Sequence, residues 1–300
     1  MLYCSVMTEK QTVLVTGGAG MIGSQLIELL LPKYRVISLD NYFIGKKENH
    51  IAGAEYIEGH TKDIETLLGK ETPALIFHLG EYSRVEQSFK DLELVWQSNV
   101  VGTHCVLEYW RARNTADQKC KLVYAGSSTK FVDGGMGRDQ SPYAWMKASN
   151  TELVGNYGKW FDLPYAITYF YNAYGPRELS EGPYASVMGR FKTQYFAGEP
   201  ITVVSPGTQK RNFTHVEDLA RGLLLVGEKG DGDEYGLGSP EAYSVLDIAN
   251  MFGGEITMLP ERKGNRMESL VDTSRAEREF GWKPQRTVGA YVESLKASKK

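Results

Sequence analysis

The chain has 300 residues, 42% of them hydrophobic, with a formal net charge of -3, so it can bury a sizeable core and carries no general basic field. That balance argues against nucleic acid as the main partner. Three unpatterned cysteines, Cys4, Cys105 and Cys120, form neither a disulfide framework nor a zinc motif, and no metal site is expected. Residues 1–10 lack the apolar core of a signal peptide, and no apolar run is long enough to span a bilayer. A cytoplasmic protein with no membrane partner is the expectation.

Residues 12–16, TVLVT, read as a strand, and they run straight into Gly17, Gly20, Met21, Ile22 and Gly23 and an apolar-periodic segment through Leu31. Strand, glycine turn and helix at this spacing let backbone amides approach a pyrophosphate at the positive end of a helix dipole. A second strand, residues 35–39, ends in Asp40 followed by Asn41, at the distance where a carboxylate receives a ribose 2′-hydroxyl and repels a 2′-phosphate. NAD is therefore expected rather than NADP. An ordinary tight turn with a solvated aspartate is the bland alternative.

Further along, residues 55–58 read as a strand. Asp63 and Ile64 follow, either meeting an adenine or simply capping a surface helix. Residues 74–80 form a buried strand ending in Leu79-Gly80, where the glycine lets backbone come close to a cofactor; His78 within it reads as a core histidine rather than a base. Residues 92–113 have helical periodicity. Strand 121–126 ends in the hydroxyl run Ser127-Ser128-Thr129, and in open α/β sheets such strand ends face the ligand crevice. Serines in an ordinary turn would look the same. Alternating strands and helices predict a Rossmann-like, doubly wound parallel α/β sheet.

Next comes Ser141-Pro142-Tyr143-Ala144-Trp145-Met146-Lys147. On a helix the Tyr143 phenol and Lys147 ammonium share a face. The spacing alone proves little, because Tyr42 and Lys46 repeat it in what reads as a loop. A strand-end hydroxyl, a phenol and an ammonium beside a hydride acceptor nonetheless make a proton-transfer set. A free phenol ionises near pH 10, so action near neutrality asks for about 4 kcal/mol of phenolate stabilisation. Opposite charge from Lys147 favours that form and desolvation opposes it.

Taken in order, these motifs, with the 99–103 stretch, Asn172 and Arg211, resemble the extended short-chain dehydrogenase/reductase family, and within it the nucleotide-sugar epimerases. The resemblance spans nearly the whole chain. It implies an NAD-binding Rossmann domain over residues 1–171 and a smaller α/β domain over 172–300 that mainly holds the nucleotide sugar, the chain crossing back to the first. It makes Ser127, Tyr143 and Lys147 catalytic, with Lys147 also holding the nicotinamide ribose. Arg84, Ser128, Asn172, Arg211 and Arg262 become candidate substrate contacts, arginine forks suiting phosphate oxygens. Ser269 falls where a small residue admits a 2-acetamido sugar. Departures from the family pattern include His60, Tyr169, Asn212, the Phe131-Val132 pair and the unusual Glu81-Tyr82-Ser83-Arg84 loop.

The leading expectation is 4-epimerisation of a nucleotide-linked hexose through a transient 4-keto sugar. The alternatives are a C4 dehydrogenase or reductase that releases the keto sugar, a 4,6-dehydratase, for which the residues after Ser127 offer no acidic pair, and a non-catalytic NAD sensor. The resemblance also implies that the two helices around residues 92–113 and 143–160 build a four-helix homodimer interface; Trp145 and Trp160 suit such a face, core packing being the other reading.

Overall fold

The computed structural model describes residues 10–127, 137–170, 172–261 and 272–299. Six strands, β1 (Thr12–Thr16), β2 (Arg35–Asp40), β3 (Glu55–Glu58), β4 (Leu75–His78), β5 (Lys121–Ala125) and β6 (Tyr165–Phe170), build the main sheet. Between them lie helices α1 (Met21–Leu30), α2 (Ile64–Leu68), α3 (Leu92–Val95), α4 (Thr103–Ala112) and α5 (Pro142–Phe161). The spatial order is β11-β6-β5-β4-β1-β2-β3, the seventh strand β11 (Gly232–Leu237) joining late from the C-terminal half. Every pairing in this sheet is parallel. The order reverses between β1 and β4, which opens a crevice at the carboxyl ends of those strands.

Both faces of the sheet are buried, and the period of two decides which residue goes where. Val13, Val15, Leu75, Phe77 and Val123 pack on one side with Leu26, Ile27 and Leu30 of α1 and with Leu219, Leu223 and Val226 of a later helix. Their neighbours Leu14, Ile76, Leu122 and Tyr124 pack on the other with Val106 and Trp110 of α4 and Val154 of α5. The Rossmann-like doubly wound sheet expected from the alternation is the fold observed.

After β6 the rhythm breaks. Strand β7 (Ala173–Tyr174), helix α6 (Val187–Ala197), β8 (Ile201–Val204), β9 (Lys210–Asn212), β10 (Thr214–His215), α7 (Val216–Lys229), β12 (Ala242–Ser244), α8 (Val245–Phe252), β13 (Ile256–Leu259), α9 (Ser274–Phe280) and α10 (Val288–Ala297) follow, with β11 between α7 and β12. Three two-stranded pairs, β10 with β7, β12 with β9 and β13 with β8, replace the continuous sheet. A third core gathers Met188, Phe191, Ile201, Val203, Ile248, Phe252 and Val292. Helix α7 instead packs on the main sheet, its Leu219, Leu223 and Val226 sharing the core of α1.

One helix expectation shifts. The periodic stretch 92–113 is interrupted by a π-helical segment, Trp96–Gly102, that carries buried Ser98 and Asn99. Helix α6 begins at Val187, because Ser186 caps it by accepting from the Gly189 N–H at 2.9 Å. Tyr42 and Lys46 share no helical turn; Tyr42 sits at φ 54° in the loop before Lys47. Among the described residues no helix is long and apolar enough to cross a membrane, no acidic, histidine or cysteine cluster could hold a metal, and Cys105 and Cys120 are free thiols.

Candidate functional site

The glycine turn is tight because three backbones converge there. Gly17 adopts φ 75°, a left-handed conformation that favours glycine, and a Cβ on it would lie 2.9 Å from the Gly80 Cα. The reciprocal Cβ on Gly80 would lie 2.8 Å from the Gly17 N. Gly80 therefore lets the ends of β1 and β4 touch, a structural demand that sequence reasoning had read only as access for a cofactor. A Cβ on Gly23 would meet the Gly17 carbonyl at 2.2 Å, whereas one on Gly20 would be 3.2 Å from it. Gly20 precedes α1 with no side-chain cap and no acidic residue in the first turn, so Met21 and Ile22 open a helix whose positive end is offered to an anion.

Asp40 closes β2 beside that turn. Its Oδ2 accepts from the Ala19 N–H at 2.9 Å and its Oδ1 from the Tyr42 N–H at 2.8 Å. Burial raises its pKa, with the two backbone donors opposing. Those bonds aim the carboxylate along the turn and leave each oxygen a free lone pair, which fits a ribose diol. Asn41 is exposed and its Oδ1 accepts from the Phe43 N–H at 3.1 Å, shaping the following bend. Ile64 is buried at the start of α2; Asp63 is exposed and makes no capping bond, so the helix-cap alternative for Asp63 is not what its side chain does. His78 bridges Thr16 Oγ1 at 2.7 Å and Thr103 Oγ1 at 3.0 Å, and burial lowers its pKa to about 4, as suits a neutral core histidine.

The third corner is α5. Ser141 starts it, its Oγ accepting from the Ala144 N–H at 3.1 Å with Pro142 at the first helical position. Tyr143 is half-buried and packs against the buried cluster of Tyr82, Val95 and Met146. One turn on, the buried Lys147 ammonium donates to the Ala125 carbonyl at the end of β5 and to Glu81 Oε2. Ser127 is buried two residues beyond that carbonyl. Lys147, one turn after Tyr143 on α5, thus meets the carboxyl end of β5 two residues before Ser127, beside the Gly80 end of β4.

Glu81 is the residue that sequence reasoning left unassigned. Burial opposes its ionisation, yet the Lys147 ammonium and hydrogen bonds from Lys147 and Thr103 hold its pKa below the ordinary carboxylate value. Asn99, in the π-helical segment, clamps the next residue, its Oδ1 accepting from the Tyr82 N–H at 2.8 Å and its Nδ2 donating to the Tyr82 carbonyl at 3.0 Å. The sequence signal was an acid immediately after an apolar strand and its glycine.

Arg84 leaves the same loop. Its Nε donates to the Tyr184 carbonyl at 2.7 Å, and Gln87 Nε2 donates to the Pro183 carbonyl at 2.7 Å, so the 183–184 segment is tied to the loop that follows β4. Burial lowers the Arg84 pKa, offset in part by the nearby tyrosines Tyr143 and Tyr82. Asn172 is exposed at φ 30°, and its Nδ2 donates to the Asn212 carbonyl at 3.0 Å, placing it beside the strand that carries Arg211. Ser128, Arg262 and Ser269 lie outside the described residues.

A family described as "NAD dependent epimerase/dehydratase family" matches residues 13–238. A putative UDP-glucose 4-epimerase of Methanocaldococcus jannaschii is 28% identical over 91% of this chain and 93% of its own length. A dTDP-glucose 4,6-dehydratase of Salmonella typhimurium is 26% identical over 92% and 89%. Among solved structures, a UDP-glucose 4-epimerase of Thermotoga maritima, determined with UDP-glucose, superposes with TM-score 0.86 at 25% identity, covering 97% of this chain and 100% of that one. The glycine turn, the unencumbered start of α1 and the aimed Asp40 carboxylate suit the dinucleotide that such proteins use. The chain is an enzyme of the NAD-dependent epimerase/dehydratase family, an extended short-chain dehydrogenase/reductase fold that works with NAD.

Proposed function

We propose that the protein is a nucleotide-sugar 4-epimerase, working through a transient 4-keto sugar. The observation that supports this reading is the contact of Lys147, one turn after Tyr143 on α5, with the Ala125 carbonyl two residues before Ser127, the glycine turn lying at the neighbouring strand ends. Bound NAD supplies the acceptor and donor of hydride at the sugar carbon. Tyr143 takes the proton of the C4 hydroxyl and returns it after the ketone has presented its other face. Ser127 orients that hydroxyl, with Ser128 beside it, and Lys147 holds the nicotinamide ribose. Gly17, Gly20, Met21, Ile22 and Gly23 receive the pyrophosphate, Asp40 and Asn41 the adenosine ribose, Asp63 and Ile64 the adenine, and Leu79 and Gly80 line the groove. Arg84, Asn172, Arg211 and Arg262 meet the nucleotide diphosphate, and Ser269 leaves room at the sugar 2-position.

The same placement supports a division in which residues 1–171 hold NAD and 172–300 mainly hold the nucleotide sugar, with α7 and β11 crossing back. A second reading, 4,6-dehydration, draws on the dehydratase relatives. That reaction asks for an additional acid and base. Glu81, the carboxylate paired with Lys147, is committed to its partners and held ionised, so it does not serve as the acid.

Incubation with a panel of UDP-, dTDP- and GDP-hexoses, read by NMR of the product and by reduced-nicotinamide absorbance, separates the readings. Epimerisation gives the C4 epimer with no net reduced cofactor. Loss of the C6 hydroxyl identifies a dehydratase, and stoichiometric accumulation of reduced cofactor a dehydrogenase; either removes the proposal.

The protein is further proposed to act as a homodimer. Phe89, Leu92, Trp96, Trp145, Trp160 and Phe161 are large apolar side chains left exposed around α3 and α5, a patch suited to a partner copy.

A further inference from the structure

Glu81 is buried at the end of β4 and joined to three other elements. Its Oε1 accepts from Thr103 Oγ1 at 2.6 Å, from Asn150 Nδ2 at 2.8 Å and from the Tyr124 hydroxyl at 3.1 Å. Its Oε2 accepts from the Tyr124 hydroxyl at 3.0 Å and from Lys147 Nζ. The side chains of Lys147 and Glu81 are 5% and 4% exposed, so water contributes little to either. Asn150 is itself pinned, donating to the Asn99 carbonyl at 2.6 Å. Every donor around Glu81 is thus fixed by a second contact or by its strand or helix.

The ammonium of Lys147 has three N–H groups. One goes to Glu81 and one to the Ala125 carbonyl, and the nitrogen sits 4.4 Å from the centre of the Tyr124 ring. With two donors committed and a ring against it, the direction of the remaining donor is set by the protein rather than by the rotamers of a four-carbon stem. A lysine held only by a strand-end carbonyl would swing; one held also by a buried carboxylate does not. The carboxylate also compensates the charge, so the ammonium stands in the crevice as half of a neutral pair, and either partner left alone would be stranded in a poorly solvated site.

We propose that Glu81 is a positioning residue for the cofactor: it pins and charge-compensates Lys147 so that the remaining ammonium donor is preorganised toward the nicotinamide half of NAD. The inference rests on the contact of Lys147 with the nicotinamide ribose and is independent of which sugar reaction follows. Failure of Lys147→Met to weaken NAD would remove the lysine contact itself, and failure of the NMR assay would remove the epimerase reading. Failure of Glu81 variants alone removes only this proposal.

The test is calorimetric titration of the full, nucleotide-stripped chain with NAD and, separately, with ADP, which reaches only the glycine turn and Asp40. Glu81→Gln keeps the shape and removes the charge. It should weaken NAD by roughly tenfold or more while ADP affinity stays within about twofold of wild type. On a Lys147→Met background the same substitution should add less than about threefold, because the effect passes through the lysine. NAD affinity within about twofold of wild type, a parallel loss of NAD and ADP, or full additivity in the double variant would each overturn the assignment. If Glu81→Gln does not fold, Glu81→Asp, which keeps the charge but shortens the reach by one methylene, is carried through the same cycle, and the same outcomes support or overturn the assignment.

Discussion

Replacing Gly23 by alanine is the most searching perturbation of the glycine turn, because the three atoms nearest the added methyl are all backbone. The new Cβ would stand 2.2 Å from the Gly17 carbonyl oxygen, 2.7 Å from the Gly18 Cα and 2.9 Å from the Gly17 carbonyl carbon. Ordinary contact is longer by roughly 1 Å, so the turn or the start of α1 must move by about that much. Gly17 has little room to retreat toward β4, since even a single Cβ built on it would stand 2.9 Å from the Gly80 Cα. The expected cost is about 1–3 kcal/mol of overpacking in the nucleotide-free protein. Misplacing the amides by about 1 Å should lower NAD affinity on the order of 100-fold. Gly20→Ala supplies the control: its Cβ is 3.2 Å from the Gly17 oxygen and Gly20 lies at φ -77°, so the backbone tolerates it. Losing a tolerable cap there costs less than about 1 kcal/mol, and any loss of NAD affinity then reflects crowding of the ligand itself. Urea denaturation without nucleotide and calorimetry with NAD measure the two quantities. If nucleotide-free Gly23→Ala is as stable as Gly20→Ala, the steric account of the turn is wrong.

Other expectations follow from named groups. Tyr143→Phe should retain NAD binding and lose turnover with the nucleotide sugar; substantial surviving activity would dismiss the phenol as the base. His78, with a folded pKa of about 4 against 6.5 unfolded, is stabilising while neutral. Stability should therefore be full above pH 6.5 and fall as pH drops toward 4, by about 3 kcal/mol from this group, and His78→Asn should flatten that part of a denaturation-against-pH curve. The Cys120 thiol, pushed up to about 12 by burial, should resist thiol reagents until the protein unfolds, and rapid labelling of native Cys105→Ser protein at Cys120 would contradict its burial. Trp160→Glu should shift the molecular mass by light scattering from dimer to monomer; a wild-type monomer at working concentration would remove the dimer proposal.

The elements most legible in the sequence were those whose local chemistry and global placement agree. Residues 12–16 alternate sides of a sheet buried on both faces, and Gly17 must take a left-handed φ, so strand and turn announce themselves together. Ser141, Pro142 and the i, i+4 pair Tyr143 and Lys147 likewise wrote a helix start and one of its faces. The π-helical segment at 96–102 was not legible, because periodicity averages over one inserted residue; its consequence is tertiary, the aiming of Asn99 at the Tyr82 backbone. The C-terminal half was least legible. Asn172 reaches Asn212 across forty residues of chain, and a lone arginine such as Arg211 gives no local hint of which strand will carry it there.

Glu81 shows why a motif can name a site without explaining it. A helix sets Tyr143 and Lys147 on one face, but it says nothing of where the ammonium goes once there, and Lys147 has both a carbonyl and a carboxylate to choose from. In this chain the carboxylate is joined by Thr103, Tyr124 and Asn150, three donors from three elements that converge only in the folded sheet. A buried charge with that many fixed donors is well compensated, and breaking any one leaves the rest under-satisfied. The loop after β4 is therefore held from beneath by the same residues that hold Lys147. Because the Arg84 guanidinium leaves that loop to the Tyr184 carbonyl, the loop and the edge of the C-terminal half share one foundation. A change at Glu81 should accordingly reach the nicotinamide half of the cofactor site before it reaches the adenosine half, whose carboxylate, Asp40, is oriented by the backbone amides of Ala19 and Tyr42.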